Sequence, residues 1–192
     1  MKRIILTAFL ALAALSASAL SASAQTLVVY YSRTGQNYTS DGIVNLKKGN
    51  TEVVAEQIQK LTRADIFRIE TVKEYSADYM TCTQEAKEEL NAKARPALKA
   101  DIDISKYDTI YLGWPCWWGT YPMCVATFLE AHDWAGKTVI PFTTHEGSGF
   151  GQSLRDLKSS IPSATIGKGL SIQGSKVKTA SAQIEKFVTG GK

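Results

Sequence analysis

The sequence comprises 192 residues, of which 44% are hydrophobic, 21% charged and 9% aromatic, and its formal net charge at pH 7 is +4. These values lie near the averages of ordinary globular proteins, which excludes intrinsically disordered, collagen-like and coiled-coil chains. A chain of this length is expected to fold as one α/β domain with a sizeable core, without a metal or disulfide framework.

The amino-terminal segment is typical of a secretory signal peptide. Lys2 and Arg3 precede an apolar run from residue 4 to residue 15, and small residues follow as far as Ala24. Serines interrupt the run well before the roughly 20 continuous apolar residues that a membrane-spanning helix needs. We therefore predict that residues 1–24 are a signal peptide, cleaved after Ala24, and that the protein is exported to the periplasm or the extracellular space.

The mature domain would span residues 25–192. Without Lys2 and Arg3 it has 20 basic and 18 acidic residues, a balance that does not favour binding to nucleic acid. We expect a soluble domain that does not span a membrane after processing.

The mature domain keeps three cysteines, Cys82, Cys116 and Cys124. An odd number leaves at least one thiol unpaired within the chain. If a disulfide forms, we expect it between Cys116 and Cys124. Because no two cysteines form a CxxC pair and the sequence has only two histidines, the spacing does not favour a structural zinc site.

Five segments along the domain predict the strands of a sheet. They are residues 26–32, 64–70, 108–113, 137–142 and a weaker segment within 165–172. Apolar spacings of three and four residues and helix-favouring composition predict helices at residues 51–62, 79–95, 122–131 and 151–160, and a last helix carrying Ala180, Ile184, Phe187 and Val188. Residues 33–50 are expected to form an unusually long loop.

This alternation predicts right-handed βαβ crossovers and a doubly wound, parallel α/β sheet of five strands. In such sheets the ligand binds at the carboxyl ends of the strands, beside the point where the strand order reverses. The candidate functional residues therefore lie in the loops after the first, third and fourth strands.

The first loop, Ser32-Arg33-Thr34-Gly35-Gln36-Asn37, carries hydroxyl groups, amide side chains and a run of backbone N–H groups ahead of a helix. A helix amino terminus attracts anions, so this loop is a candidate phosphate cradle. The lack of a GxxxxGKS pattern excludes a P-loop nucleotidase. The alternative interpretation is a polar turn of small residues.

The loop after the third predicted strand is rich in aromatic residues and prolines, where an ordinary crossover would be polar. It reads Gly113-Trp114-Pro115-Cys116-Trp117-Trp118-Gly119-Thr120-Tyr121-Pro122. Aromatic rings on a rigid backbone favour stacking with a planar heterocycle. The alternative is that the tryptophans pack in the core, which we expect for Trp114 more than for Trp117 and Trp118.

The loop after the fourth strand, Thr143-Thr144-His145-Glu146-Gly147-Ser148-Gly149-Phe150-Gly151, combines hydroxyl groups with three glycines. Its backbone can therefore approach a ligand closely. The alternative for His145 and Glu146 is a surface turn. Because Ser148 does not lie in a GxSxG elbow, no Ser-His-Asp triad is predicted.

Taken together and in this order, three motifs resemble the flavodoxin-like family, in particular its exported or anaerobe-type branch, which is related to flavin quinone reductases. The motifs are Tyr30-Tyr31-Ser32-Arg33-Thr34-Gly35, Pro115-x-Trp117-Trp118-Gly119-x-x-Pro122 and Thr144-His145-Glu146-Gly147-Ser148-Gly149. The similarity covers residues 26–190. It implies a three-layer αβα fold with strand order 2-1-3-4-5 and a noncovalently bound FMN.

The resemblance assigns FMN contacts to all three loops. The phosphate is expected at the first loop and the start of the following helix, and the flavin ring is expected between residues 115–119 and 144–149. The candidate FMN-binding residues are Ser32, Arg33, Thr34, Gly35, Gln36, Asn37, Asn50, Thr51, Pro115, Cys116, Trp117, Trp118, Gly119, Thr144, His145, Glu146, Gly147, Ser148 and Gly149.

Two features depart from ordinary flavodoxins. Their phosphate loop is a continuous T-G-N-T string, whereas here an insertion separates Gly35 from Gly49-Asn50-Thr51. Their charge is strongly acidic, and the near-neutral mature chain indicates a partner other than a standard flavodoxin reductase.

The leading hypothesis is an exported, FMN-binding electron-transfer protein that exchanges electrons with an unidentified partner protein or a quinone. The alternative is an FMN-dependent NAD(P)H or quinone oxidoreductase, with Tyr121 or His145 as the catalytic candidate. A third interpretation is a non-catalytic interaction domain with the flavodoxin fold.

Overall fold

The computed structural model describes residues 25–190. The predicted signal peptide, residues 1–24, lies outside the described residues. Across the described range, every helix is too short or too polar to cross a membrane.

Within that range the chain forms eight strands and five α-helices. The strands are β1 (Thr26–Tyr30), β2 (Gly35–Thr39), β3 (Gly42–Leu46), β4 (Asp65–Arg68), β5 (Thr109–Pro115), β6 (Thr138–His145), β7 (Thr165–Ile166) and β8 (Leu170–Gln173). The helices are α1 (Asn50–Thr62), α2 (Tyr79–Ala92), α3 (Met123–Glu130), α4 (Ser153–Ser160) and α5 (Ser181–Thr189), and a 3₁₀ helix spans Gly174–Thr179.

The main sheet is parallel throughout, with the order β4-β1-β5-β6-β7. The predicted fifth strand is split, because β7 pairs with the first part of β6 and β8 pairs with its last part. Counted as one strand, β7 and β8 complete the order 2-1-3-4-5, which confirms the predicted doubly wound α/β fold. The carboxyl ends of β1, β5 and β6 consequently meet at one edge of the sheet.

Residues 33–50 were predicted to be a loop, and this prediction was wrong. They contain an antiparallel hairpin of β2 and β3, in which Gln36 lies opposite Asn45. At its turn, Thr39 Oγ1 donates a hydrogen bond to the Gly42 carbonyl (3.0 Å), and Gly42 has φ +98°. Neither strand alternates apolar with polar residues, so the sequence signal for this hairpin is confined to the Asp41-Gly42 pair at its turn.

The sheet is covered on both faces. Along β1, Leu27 and Val29 belong to the core cluster that includes α3, whereas Val28 belongs to the cluster that includes α1 and α5. Helices α2 and α4 contribute to the first cluster, which gives three layers. Because the central strands are buried on both faces, their sequences are continuous apolar runs. Trp114 is fully buried in the first cluster, as the core interpretation of that residue predicted.

The three cysteines are free thiols, and Cys116 and Cys124, the pair favoured if a disulfide formed, are not bridged. Cys124 is fully buried on α3, inside the core. Cys116 follows β5 at the edge of the sheet, where its N–H donates to the Thr144 carbonyl (2.8 Å). Cys124 on α3 and Cys116 after β5 therefore lie in different surroundings. Burial raises the pKa of the Cys82 thiol to about 11 and raises the pKa of the Cys124 thiol as well.

We expect Gly113→Ala to lower the free energy of unfolding by about 1–3 kcal/mol, as overpacking of a dense core does. A Cβ at Gly113 would lie 2.0 Å from Cζ of Phe142, whose ring is fully buried on the neighbouring strand. Urea denaturation measures the change. The matched control is Gly167→Ala, where the nearest atom lies 3.3 Å from the new Cβ. Equal stability of the two variants would contradict this description of the core.

Candidate functional site

The loops after β1, β5 and β6 converge with the start of α1 around a pocket of about 130 Å³. Eleven of the predicted FMN-binding residues line it, namely Ser32, Arg33, Asn37, Asn50, Thr51, Pro115, Cys116, Trp117, Thr144, His145 and Glu146. Three further lining residues, Tyr38, Tyr79 and Gly174, were not among the predictions. The structure therefore brings the three predicted loops together at the edge where ligands of parallel sheets bind.

The end of β1 and the start of α1 are in direct contact, although the β2–β3 hairpin separates them in sequence. A Cβ at Gly49 would lie 2.2 Å from Ser32 Oγ and 2.4 Å from the Arg33 carbonyl oxygen. Only a residue without a side chain allows this approach. The two chain segments that the hairpin separates in sequence, the end of β1 and the start of α1, therefore lie next to each other in space.

The first turn of α1 presents amide groups to the pocket. Ser32 Oγ accepts the N–H of Glu52 (3.1 Å), and the Gly49 carbonyl accepts the N–H of Val53 (3.2 Å). Asn50 and Thr51 line the pocket, and their N–H groups belong to the helix start, where no intrahelical acceptor exists. Together with the helix dipole, these groups form a site suited to an anion.

A hydrogen bond between two hydroxyl groups connects α1 to β6. Thr51 Oγ1 and Thr144 Oγ1 lie 2.7 Å apart and are buried. Both residues line the pocket, so the bond fixes the start of α1 relative to the loop after β6. Gly174 also lies close to α1, because a Cβ there would be 2.4 Å from Asn50 Nδ2.

Arg33 uses its guanidinium group to hold the hairpin against the segment before α2. It donates to the carbonyls of Ser76 (2.5 Å) and Ala77 (2.8 Å) and to that of Gln36. Gln36 in turn accepts the N–H of Tyr79 through Oε1 (2.9 Å). Arg33 and Gln36 thus bind backbone groups of the protein, which gives both predicted ligand contacts a structural role.

A tight turn follows β5. Trp117 and Thr120 exchange two backbone hydrogen bonds of 2.9 and 3.0 Å. The two residues between them, Trp118 and Gly119, have φ values of +50° and +80°. Positive φ at both central positions defines a type I′ turn, and for a tryptophan this conformation stores strain of about 1–3 kcal/mol. Such strain in a native structure is concentrated at functional sites.

The two tryptophans of this turn have different surroundings. Trp117 packs edge-on against Tyr31 (5.5 Å between ring centroids) and Tyr75 (5.1 Å), so one side of it is packed against the core while it also lines both pockets. The Trp118 side chain is half-exposed, and its Nε1 donates to the carbonyl of Thr83 on α2 (2.9 Å).

An apolar pocket of about 370 Å³ lies between this turn and α2. It shares Arg33, Asn37, Tyr79, Cys116 and Trp117 with the first pocket, so the two are continuous. Its remaining lining residues are Met80, Cys82, Thr83, Ala86 and Trp118. A polar cleft of about 280 Å³ lies between the loop after β1 and the segment after β4. It shares Ser32 and Arg33 with the first pocket and includes Thr34 and Gly35.

The loop after β6 is held by its own polar side chains. His145 Nδ1 accepts the N–H of Gly147 (2.9 Å), and burial lowers the pKa of His145 despite the neighbouring Glu146. The Glu146 carboxylate accepts the N–H of Ser175 (2.7 Å) and a hydrogen bond from Gln173 Nε2 (3.1 Å). Glu146 therefore ties this loop to the end of β8.

Some predicted residues do not line the first pocket. Gln36, Gly119, Gly147, Ser148 and Gly149 lie in the expected loops but outside its lining. Tyr121, the other catalytic candidate, is buried beside Trp114, and its hydroxyl group lies 2.9 Å from Ser160 Oγ. The structure thus places Tyr121 in the core on the α4 side, whereas His145 lies at the pocket.

Tyr38 and Tyr79 form part of the rim of the first pocket and were not among the predicted site residues. Their rings are stacked with centroids 6.1 Å apart, one on the hairpin and one at the start of α2. The Asp41-Gly42 pair, interpreted as a hairpin turn, would have placed Tyr38 near the pocket. For Tyr79 and Gly174 the sequence carries no such signal, because long-range packing brings them there.

Comparisons with known proteins agree with the observed fold. The family model described as "Flavodoxin" matches residues 44–188. None of the curated proteins matches the sequence significantly. Among solved structures, a protein from Bacteroides uniformis ATCC 8492 described as a flavoprotein is 32% identical, with a TM-score of 0.69, covering 85% of this chain and 99% of that one.

Two further structures have the same fold. A protein from Bacteroides eggerthii DSM 20697, also described as a flavoprotein, is 28% identical with a TM-score of 0.64, covering 83% of this chain and 97% of that one. A flavoprotein from Lactobacillus acidophilus NCFM, solved in complex with FMN, is 19% identical with a TM-score of 0.61, covering 82% and 98% of the respective chains.

We predict that His145 titrates below its ordinary pKa of 6.5, because burial disfavours the charged ring and Nδ1 accepts an N–H. A lowered pKa means that the unfolded chain binds more protons between the two pKa values. The contribution of His145 to stability is therefore complete above pH 6.5 and is lost as the pH falls through the folded-state pKa. Imidazole NMR titration measures this value, with His132→Gln to assign the signals. A His145 pKa at or above 6.5 would show that the described hydrogen bond is not maintained.

Proposed function

The chain belongs to the flavodoxin family, and from this premise we propose that it binds FMN and serves as an electron carrier. The observation that carries the proposal is the closed cradle at the start of α1. There, Gly49 lies against Ser32 and Arg33, and Ser32 Oγ accepts an N–H of the first helical turn. Helix amino termini of this kind bind phosphate groups.

The residues present fit the phosphate of FMN. A Cβ at Gly49 would fill the cradle, so this position brings backbone amides, rather than side chains, to the ligand. One of the hydroxyl groups of Thr51 and Thr144 donates to the other, and the second keeps its O–H for a phosphate oxygen at the same pocket. Their fixed positions reduce the entropy lost when the phosphate binds.

The aromatic side of the site fits a planar ring. Trp118 in the turn after β5 is bound to α2 through its Nε1, and the adjoining pocket is mostly apolar. When bound there, FMN supplies the reversible uptake of one or two electrons, and the protein supplies binding, orientation and electrostatic tuning. We assign the orienting role to the backbone of Trp117, Trp118 and Gly119. Electron transfer of this kind needs no acid or base from the protein.

A second candidate function is that of an FMN-dependent NAD(P)H or quinone oxidoreductase. The observation that favours it is the exposed apolar rim of the 370 Å³ pocket, formed by Met80 and Trp118, where a second planar molecule would stack over the flavin. In that function, His145 is the candidate proton donor or acceptor, since it is the titratable imidazole at the pocket.

We also propose that the protein is exported, on the basis of the charged, apolar and small-residue layout of residues 1–24. Its electron donor would then be a membrane-bound or periplasmic protein, because cytoplasmic nicotinamide is not available outside the inner membrane. Amino-terminal sequencing of the secreted protein tests this proposal, with Gln25 as the expected first residue. A chain that starts at Met1 in the cytoplasm would refute it.

We predict that the purified protein retains FMN after gel filtration, with the visible absorbance of bound flavin. Gly49→Ala should lower its affinity for FMN at least tenfold, because the new Cβ displaces Ser32 Oγ or the Arg33 carbonyl from the cradle. Quenching of FMN fluorescence gives the dissociation constants. Gly167→Ala is the control, since it makes the same change beside β7, away from the pocket. A colourless wild-type protein would demote electron transfer and favour an interaction domain.

The two candidate functions differ in whether the protein alone catalyses steady quinone reduction by NADH. We predict that the FMN-loaded protein, mixed with NADH and a quinone, shows no steady quinone reduction until a separate flavin reductase is added. Steady reduction by the protein alone would establish the second candidate function. In that case Met80→Asp, at the rim of the apolar pocket, should slow turnover, and the equally exposed Val72→Asp should not.

A further inference from the structure

A carboxylate lies beside the proposed phosphate site. Glu52 is the third residue of α1, and its own N–H is bound to Ser32 Oγ. Its side chain is only 14% exposed. A phosphate at the first turn of α1 would lie within about one helical turn, 5.4 Å, of this residue. A neighbouring negative charge that is poorly screened by water opposes the binding of a phosphate dianion.

Arg68 contacts both this carboxylate and the wall of the cradle. One guanidinium nitrogen, Nη1, lies 3.3 Å from Glu52 Oε2, and the other, Nη2, donates to the Ser32 carbonyl (3.3 Å). Arg68 is the last residue of β4, where it pairs with Tyr30 at the end of β1. The sheet register therefore places its guanidinium group behind the cradle.

The other charges nearby are engaged elsewhere. Glu56 on the next turn of α1 is paired with Lys48 (2.6 Å). Glu70 lies 4.0 Å from Arg68 Nε but is half-exposed, so water screens its charge. The guanidinium group of Arg33 is bound to backbone carbonyls of residues 36, 76 and 77. Arg68 is thus the cation that the structure pairs with Glu52.

We propose that Arg68 sets the preference of the site for phosphorylated flavin, FMN over riboflavin, by neutralising Glu52 and positioning Ser32. This inference rests on the proposed binding of FMN and adds a positioning residue outside the three predicted loops. With Arg68 present, the carboxylate no longer repels the phosphate. Riboflavin carries no phosphate, so its affinity does not depend on this charge balance.

The test compares the dissociation constants of FMN and riboflavin for four proteins, the wild type, R68Q, E52Q and the double variant R68Q/E52Q. We expect R68Q to weaken FMN binding about tenfold and riboflavin binding less than twofold. Removal of the carboxylate in R68Q/E52Q should restore most of the FMN affinity. E52Q alone should raise the ratio of FMN to riboflavin affinity. R68K, which keeps the charge, should retain most of that ratio.

Ionic strength provides an independent readout. Added salt screens the repulsion between Glu52 and phosphate, so the deficit of R68Q should shrink as salt rises. An equal loss of FMN and riboflavin in R68Q, or a double variant no better than R68Q, would overturn the proposal and leave Arg68 a role in folding only. If R68Q does not fold, as judged by circular dichroism, an unchanged ligand ratio in E52Q overturns it. Failure of the wild type to bind FMN refutes the proposed function itself and is distinguishable from each of these outcomes.

Discussion

The close approach of Gly49 to Ser32 and Arg33 is the contact on which the site depends. It brings the end of β1 to the start of α1, and a side chain at Gly49 would prevent it. Because the contact closes the loop, the first amides of α1 face the pocket beside the loops after β5 and β6. An anion site can therefore exist here although its sequence motif is interrupted.

The β2–β3 hairpin is an addition to this site. Arg33 and Gln36 bind it to the segment before α2 and to Tyr79. Through Tyr38 it contributes to the rim of the pocket, stacked on Tyr79. The inserted hairpin thus forms part of the pocket wall, whereas the proposed phosphate site lies where Thr51 and Thr144 connect α1 to β6.

The sequence was sufficient to predict the sheet, because strands such as β1 and β5 are buried on both faces and read as apolar runs of a recognisable length. It was not sufficient for the hairpin, whose strands do not alternate, or for the disulfide, since sequence spacing does not reveal that Cys124 lies within the core. Arg68 is the last residue of β4, and only the register of β4 with β1 places it behind Ser32. Tyr121 belongs to a motif that resembles a flavin-binding loop, but its ring packs on Trp114. Local pattern thus predicts which loops form the site, and tertiary packing decides which side chains reach it.

The central claim is that the start of α1 holds the phosphate of FMN, and backbone amide NMR tests it directly. Titration with FMN should shift the amide signals of Ser32, Asn50, Thr51 and Glu52 most strongly, because phosphate oxygens accept hydrogen bonds at the helix start. Riboflavin, which lacks the phosphate, should leave the signals of Asn50 and Thr51 almost unchanged. FMN binding that shifts only signals of the hairpin or of α2, and not those of residues 50–52, would contradict the account.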